Sequence, residues 1–516
     1  MKEFIHSCCL RPEWAGRTAL HLHGTNISVS YASLAAAVAT MAGLLERSGV
    51  GRGARIAVAA APSFEFAVAV LAASRIGAAA APLDISLRGL SLDDALARVR
   101  PDVLIGTPAL VARMGKWNAR VAIICERLDH DGAPTIAGSV QRTASAVAFE
   151  IMAAPAADGG DASAVTEGSL PDDDALLIAT SGSTGAPKYV RLGHRGTLFN
   201  IREHLASFGL AGPFSAVQAL GTNYSYGLIA SFLAPLTVGG TLVLPAHTDC
   251  RSICAAIAAE HPSVCLATPA LIEYLIDACT LEQLAALGSL GKLGIGGDNC
   301  PERLRRKISQ ALPRVAPYVT YGATEAGPRI ATLPPAEFLT RSASVGLPLA
   351  GVEIMVTDDH GRPVAPGATG YVRVRTPSRM VGYLGEAPQG DWLTISDMAS
   401  LDVNGYLTIH GRAGRAAKHR GRLLDPGQIE SVIGRFPGVI GSRVEVLPAG
   451  DRLRAVVHLH PSGRNNDLAS RLREHCLRNL PHRLVPHEIV TVAEKSTYFF
   501  KGRSLLFSDS QPQPAE

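Results

Sequence analysis

Apolar positions along the first hundred residues alternate between two rhythms. SYASLAAAVATMAGLLERSGV, from Ser30 to Val50, is Ala- and Leu-rich with apolar spacing near 3.6, and Gly49 stands where a helix would end. The run ARIAVAAA then reads as a buried strand, and FEFAVAVLAASRIGA as a helix closing on Gly77. Strand–helix alternation of this kind predicts βαβ units on a parallel sheet. A polar, small-residue tract from Ala154 to Asp174 reads as a surface connection. ALLIATSGSTGAPKYVRL follows as strand, Ser/Thr/Gly loop and strand, and VAPYVTYGATEAG as a strand opening onto a second Gly-containing loop. From Ser344 to Gly411 short strands punctuated by DDHG and PGATG predict antiparallel hairpins. Beyond Arg412 come a basic loop, a helix in LLDPGQIESVIGRF, strands in SRVEVLP and RLRAVVHLHP, and a last helix, LASRLREHCLRNL. The predicted fold class is α/β. A large N-terminal α/β core with a β-rich portion spans residues 1–411, and a small C-terminal α+β domain spans 412–516.

Composition narrows the class without naming a chemistry. With 516 residues, 47% hydrophobic and 18% charged, the chain can bury a large core, which excludes disorder, collagen and coiled coil as whole-chain descriptions. A net charge of +4 implies no bulk attraction to nucleic acid or to an anionic membrane. The nine cysteines are scattered and odd in number, so neither a disulfide framework nor zinc spacing is expected. The N-terminus lacks a long apolar run, so no secretory signal is read. The most apolar stretch, GLIASFLAPLTVGGTLVLP from Gly227, is broken by Pro235 and by Gly239–Gly240. It predicts a buried helix, turn and strand, with no membrane span, in a cytoplasmic protein.

Three segments carry candidate chemistry. Thr180, Ser181, Gly182, Ser183, Thr184, Gly185 and Lys188 place hydroxyls, glycines and an ammonium within nine residues, the donors a polyphosphate requires. The absence of G-K-[ST], and a strand where a helix should follow, distinguish this loop from a Walker loop. Tyr321, Gly322, Ala323, Thr324 and Glu325 offer an aromatic face for a base, a hydroxyl for phosphate and a carboxylate for Mg²⁺. Asp397 could accept from ribose hydroxyls and Arg412, fifteen residues later, could pair with phosphate. Taken singly, each segment would equally suit an ordinary turn or a surface ion pair.

In order and together, over roughly Ser30 to Leu506, these segments resemble the adenylate-forming superfamily of acyl-CoA synthetases, adenylation domains and luciferases. TSGSTGAPK is similar to its phosphate loop, IGGD ending at Asp298 to its adenine-side segment, and YGATE to its Y-G-x-T-E. Asp397 matches the Asp of T-G-D, and GRAGRAAKHRGRLLDPGQIE the hinge motif. The resemblance implies ATP-dependent condensation of a carboxylic acid to acyl-AMP with release of pyrophosphate, then transfer to a thiol. It implies that Ser181, Ser183, Thr184 and Lys188 hold the pyrophosphate portion of ATP, and that Thr324 contacts the α-phosphate. Glu325 would bind Mg²⁺, Asp397 the ribose, and Arg412 ribose or phosphate. KSTYFFKGRSLL places Thr497 and Lys501 at the spacing of the family's catalytic lysine motif, with Lys495 the rival position. An ammonium there would screen two anions and stabilise charge developing in the transition state. The segment after residue 411 would be a mobile lid.

This sequence departs from the pattern at Gly414 for the hinge Asp, Phe500 for the Gly before the lysine, Tyr189 for the Gly after Lys188, and Ser396 for the Gly of T-G-D. The acid pocket is expected at Asn223, Tyr224, Tyr226, Gly227, Gly296 and Gly297. No carboxylate stands where α-amino-acid activators carry one, which points to an acid without a free α-ammonium. The acceptor is either coenzyme A or the phosphopantetheine of a separate carrier protein. Five permanent cations between Arg412 and Arg422, with Lys418, Arg420 and Gly421 on the thiol side, suit either. An amino-acid-activating enzyme, or a nucleotide-binding member that has lost turnover, are the alternatives.

Overall fold

The computed structural model describes residues 3–493 apart from Asn26, 85–89, 107–120, 126–148, 154–172, 181–187, Thr248, 413–416, 420–421, 425, 448–451, 460–467 and 481–483. Two large sheets dominate. The nine-stranded sheet has five successive parallel pairings linking Thr18–Leu22, Thr241–Leu244, Ser215–Val217, Val264–Ala267, Lys292–Ile295 and Ala316–Tyr321. Antiparallel strands close both of its edges. In the eight-stranded sheet, Asp174–Thr180, Ala79–Pro82, Arg55–Ala59, Val103–Gly106 and Val121–Cys125 are parallel neighbours, again with antiparallel edges. The alternation in the sequence therefore holds for the centres of both sheets. The edge strands are short and carry no period long enough to show their direction.

Helices Tyr31–Arg47 and Phe64–Ile76 show why these segments wind as they do. Each starts at a serine, Ser30 or Ser63, whose side chain accepts the third backbone N–H of its helix. The second ends at Gly77, whose φ of 72° suits a residue without a Cβ. Tyr31–Arg47 buries one face, including Leu34, Val38, Met41 and Leu45. Phe64–Ile76 buries every residue except Arg75, so it is a core helix without a polar face. The apolar stretch that raised the membrane question is π-helical over Tyr226–Leu233, turns through Ala234–Leu236 and continues as the strand Thr241–Leu244. No helix among the described residues is long and apolar enough to cross a membrane. The expected helix is present but wound more widely than an α-helix. Gly227 permits the close approach there, since a Cβ on it would meet the Gly221 carbonyl oxygen at 1.8 Å.

Glu353–Thr357, Gly370–Arg375, Leu393–Leu401 and Leu407–Arg412 form the expected antiparallel sheet. Further along, Ile429, Ile433, Val444, Leu453, Val457, Leu472 and Cys476 make a separate hydrophobic cluster. It packs beneath Val439–Val446, Leu453–Leu459 and Glu488–Ala493, the last parallel to its neighbour and reached through helix Leu468–Asn479. That third strand was not read from the sequence. Cys8, Cys9, Cys250, Cys254, Cys265, Cys279, Cys300 and Cys476 are free. Burial pushes the Cys265 and Cys300 thiols up to about 12, as for structural cysteines. Cys254 lies beside Cys279, Sγ to Sγ 2.9 Å.

Two buried histidines give the core a pH dependence. His194 Nδ1 accepts the backbone N–H of Ile5 at 3.4 Å, and burial beside His6 lowers its pKa from 6.5 to about 4. Burial and the neighbouring Arg329 hold His204 well below 6.5 as well. Both are neutral in the fold, while their unfolded counterparts take up protons below 6.5. The stability they contribute is therefore complete above pH 6.5 and is lost as pH falls towards 4. The loss approaches about 1.4 kcal/mol per pH unit per imidazole. Urea unfolding between pH 7.5 and 4.5 should show falling stability below 6.5, with a shallower slope in His194→Gln. A flat profile, or a variant with the wild-type slope, would contradict the assignment.

Candidate functional site

The strand Asp174–Thr180 turns back into Lys188–Gly193 as an antiparallel hairpin, with Thr180 opposite Lys188. Thr180 Oγ1 donates to the Lys188 carbonyl at 3.3 Å. The hairpin thus brackets the Ser/Thr/Gly loop, of which Ser181, Gly182, Ser183, Thr184 and Gly185 lie outside the described residues. Lys188 Nζ donates to Glu386 Oε1 at 2.9 Å and stands 4.7 Å from the centroid of the Tyr383 ring. Tyr383 belongs to the edge strand Gly382–Tyr383, which pairs with this same hairpin. Its hydroxyl donates to Glu325 Oε1 at 3.1 Å. Burial, then the Glu325 charge, push the Tyr383 phenol above its ordinary value, so it stays a donor. A cation, a phenol and a carboxylate from three stretches of chain therefore meet. The Lys188–Glu386 pair is exposed on both sides and adds about 0–1 kcal/mol, which leaves the ammonium available to a stronger anion.

Thr324 and Glu325 occupy a short 3₁₀ turn after the strand Ala316–Tyr321. Two contacts fix that turn. Thr324 Oγ1 and Ser225 Oγ are 2.9 Å apart, and the Met380 N–H donates to the Glu325 carbonyl at 2.7 Å. At Gly322 a Cβ would meet the Pro328 carbonyl oxygen at 2.2 Å, so only glycine admits the returning chain. Tyr321 donates its hydroxyl to Asp397 Oδ2 at 2.7 Å, and Asp397 is buried. Asp397 and Arg412 stand directly opposite each other across an antiparallel pair, which explains their separation in sequence.

Among the expected pocket residues, Tyr224 and Tyr226 are buried and Asn223 is half-buried. Tyr226 donates its hydroxyl to the Gly294 carbonyl at 3.2 Å. A Cβ on Gly296 would come 3.3 Å from Tyr226 Cε1 and 2.2 Å from Thr320 Oγ1, and one on Gly297 3.8 Å from Tyr226 Cδ1. The edge of the Tyr226 ring therefore faces both glycines. Asp298, next in sequence, is exposed and accepts the Asn299 N–H at 2.8 Å.

Lys495 and Lys501 lie outside the described residues, as do Gly414, Arg420, Gly421 and Phe500. Lys418 lies on the short strand Ala417–His419, paired with Arg422–Leu424. Among the described residues no three His, Cys, Asp or Glu side chains gather as a metal cage. Glu325 could serve a metal here as one carboxylate of a shell completed by phosphate and water oxygens, the usual habit of Mg²⁺. Sequence reasoning missed Tyr383, Glu386 and Arg329, and gave Ser225 no role. Arg329 left one signal, a lone cation five residues after Thr324 between Pro328 and the apolar Ile330. Tyr383 and Glu386 left none, since they reach the site only through strand pairing.

The family model described as AMP-binding enzyme matches residues 12–384. Among similar proteins, an indoleacetate–CoA ligase of Aromatoleum aromaticum is 28% identical, over 82% of this chain and 81% of its own length. An L-proline–[L-prolyl-carrier protein] ligase of Streptomyces coelicolor is also 28% identical, over 94% and 93%. The crystal structure of a benzoate CoA ligase from Burkholderia xenovorans superposes with a TM-score of 0.79 at 20% identity, covering 98% of this chain and 99% of that one. An anthranilate CoA ligase in complex with anthranoyl-AMP superposes equally well, at 0.79 and 19% identity, over 96% and 94%.

Proposed function

The chain belongs to the AMP-binding enzyme family, and from that premise we propose that it is an AMP-forming acid–thiol ligase. A carboxylate oxygen attacks the α-phosphorus of ATP, the α–β phosphoanhydride bond breaks, and pyrophosphate leaves. A phosphopantetheine thiol then attacks the acyl carbonyl, loses its proton, and displaces AMP. The observation that carries this reading is the convergence on one place of Lys188, Glu325 and Tyr383, with the Tyr321–Asp397 and Thr324–Ser225 contacts built on the same strand end. In this reading Thr180, Lys188 and the loop between them hold the β- and γ-phosphates. Thr324 faces the α-phosphate, Glu325 holds Mg²⁺, and Asp397 with Arg412 grips the ribose. Tyr321, Gly322 and Asp298 border the base, and Tyr226, Gly227, Gly296 and Gly297 border the acid. Lys501 comes from a second domain, residues 412–516, that closes over the first, residues 1–411, with Lys418, Arg420 and Gly421 on the thiol side. The relatives named as CoA or carrier-protein ligases support either form of the thiol, and dependence on ATP favours a cytoplasmic setting.

Pyrophosphate exchange over a panel of aryl, fatty and amino acids should show ATP-dependent turnover with at least one non-amino acid. Intact-mass detection with CoA and with a holo carrier protein in parallel then identifies the acceptor. Well-folded protein that exchanges with no acid would refute the proposal.

A further inference from the structure

Beside the expected acid-pocket residues the fold buries an arginine and, among the described residues, supplies no counter-charge. Arg329 is 1% exposed. Its Nε donates to His204 Nδ1 at 3.2 Å, and its guanidinium lies 4.4 Å from the centroid of the Tyr226 ring and 5.7 Å from that of Phe208. The Nη2 group is buried and hydrogen-bonds nothing among the described residues. His204 cannot balance the charge, because an imidazole is either neutral or cationic, and burial and Arg329 itself keep this one neutral. A guanidinium does not escape by losing its proton, so an unpaired one in an apolar site is strongly unfavourable. Such an arrangement is stabilised when the partner arrives with a ligand. Tyr226 ties this cation to the site, since the ring that carries the guanidinium on its face turns its edge to Gly296 and Gly297.

Resting on the reading of Tyr226, Gly296 and Gly297 as the acid pocket, we propose that Arg329 determines substrate choice and that the chain activates a dicarboxylic acid. One carboxylate reacts with ATP, and the other, at the far end of the acid, pairs with the Arg329 guanidinium. A ligand oxyanion that reaches the buried, unpartnered Nη2 group would supply its missing hydrogen bond and neutralise the charge at once. An ammonium would be repelled by the same cation, and a purely apolar acid would leave it unpaired. Nothing in YGATE or IGGD announces this preference, because it depends on a side chain that the returning loop after Gly322 carries back under Tyr226.

The test compares matched acids in ATP–pyrophosphate exchange with the full chain: benzoate against isophthalate and terephthalate, and butyrate against succinate and glutarate. The expected result is a kcat/KM at least about tenfold higher for the best dicarboxylate than for its monocarboxylate counterpart, the scale of one charge-assisted hydrogen bond. Arg329→Gln should erase that ratio while monocarboxylate exchange persists, and Arg329→Lys should restore part of it. The wild-type ratio needs no variant, so an unfolded Arg329→Gln protein leaves the test intact. Exchange confined to monocarboxylates overturns this inference alone. Exchange with no acid of either set overturns the acid-activation reading and this inference with it.

Discussion

Replacing Lys501 with alanine should lower acid-dependent pyrophosphate exchange by about 10²–10³-fold, the scale on which removal of one preorganised electrostatic donor acts in a transition state. The acid's carboxylate and the α-phosphate are both anionic, and they must meet for a P–O bond to form. A single ammonium between them offsets the repulsion as the bond forms and the charge on the phosphorus oxygens grows. It contributes little to ground-state binding of ATP, which the phosphate loop and Asp397 already hold in the proposed arrangement. The expected signature is therefore a collapse of exchange with a dissociation constant for ATP close to the wild-type value, measured by calorimetry. Lys495→Ala is the paired control. If Lys495→Ala abolishes exchange and Lys501→Ala does not, the catalytic ammonium is the other lysine of KSTYFFKGRSLL.

The architecture was legible where periodicity and end signals agreed. Ser30 and Gly49 bracket a helix that begins at Tyr31 and ends at Arg47, and Ser63 and Gly77 bracket one over Phe64–Ile76. The candidate site was legible where it is contiguous, as in the strands that flank the loop between Thr180 and Lys188 and the turn at Thr324 and Glu325. What the sequence could not show is what strand pairing assembles. Tyr383 reaches Glu325 because Gly382–Tyr383 pairs with Lys188–Gly193, nearly two hundred residues upstream. Asp397 meets Tyr321 across a separation of 76 residues. Arg329 was hidden for a different reason. A lone arginine after a glycine and a proline reads as a surface loop residue, and only the return of the chain past Gly322, closer than any Cβ would allow, turns it inward.

Glu325→Gln should reduce exchange by about 10²-fold, and the geometry makes the reason separable from structure. Glu325 Oε1 accepts from the Tyr383 hydroxyl, and the amide oxygen of glutamine can accept the same hydrogen bond with the same shape. The substitution thus preserves the packing of Tyr383 against Lys188 and removes only the negative charge. If Glu325 serves to anchor that ring, the variant should behave as wild type and Tyr383→Phe should be the damaging change. If its charge holds Mg²⁺ against the phosphates, Glu325→Gln loses activity that Tyr383→Phe largely retains, and the apparent Mg²⁺ requirement in exchange rises. Titrating Mg²⁺ against exchange rate for both variants decides between them. The charge reading is the expected one, since Glu325 is only partly buried and glutamine keeps its shape and its acceptor while removing its charge. A carboxylate at a strand end, beside a hairpin that brackets the candidate phosphate-binding loop, has its charge to offer and little else that a glutamine would lack.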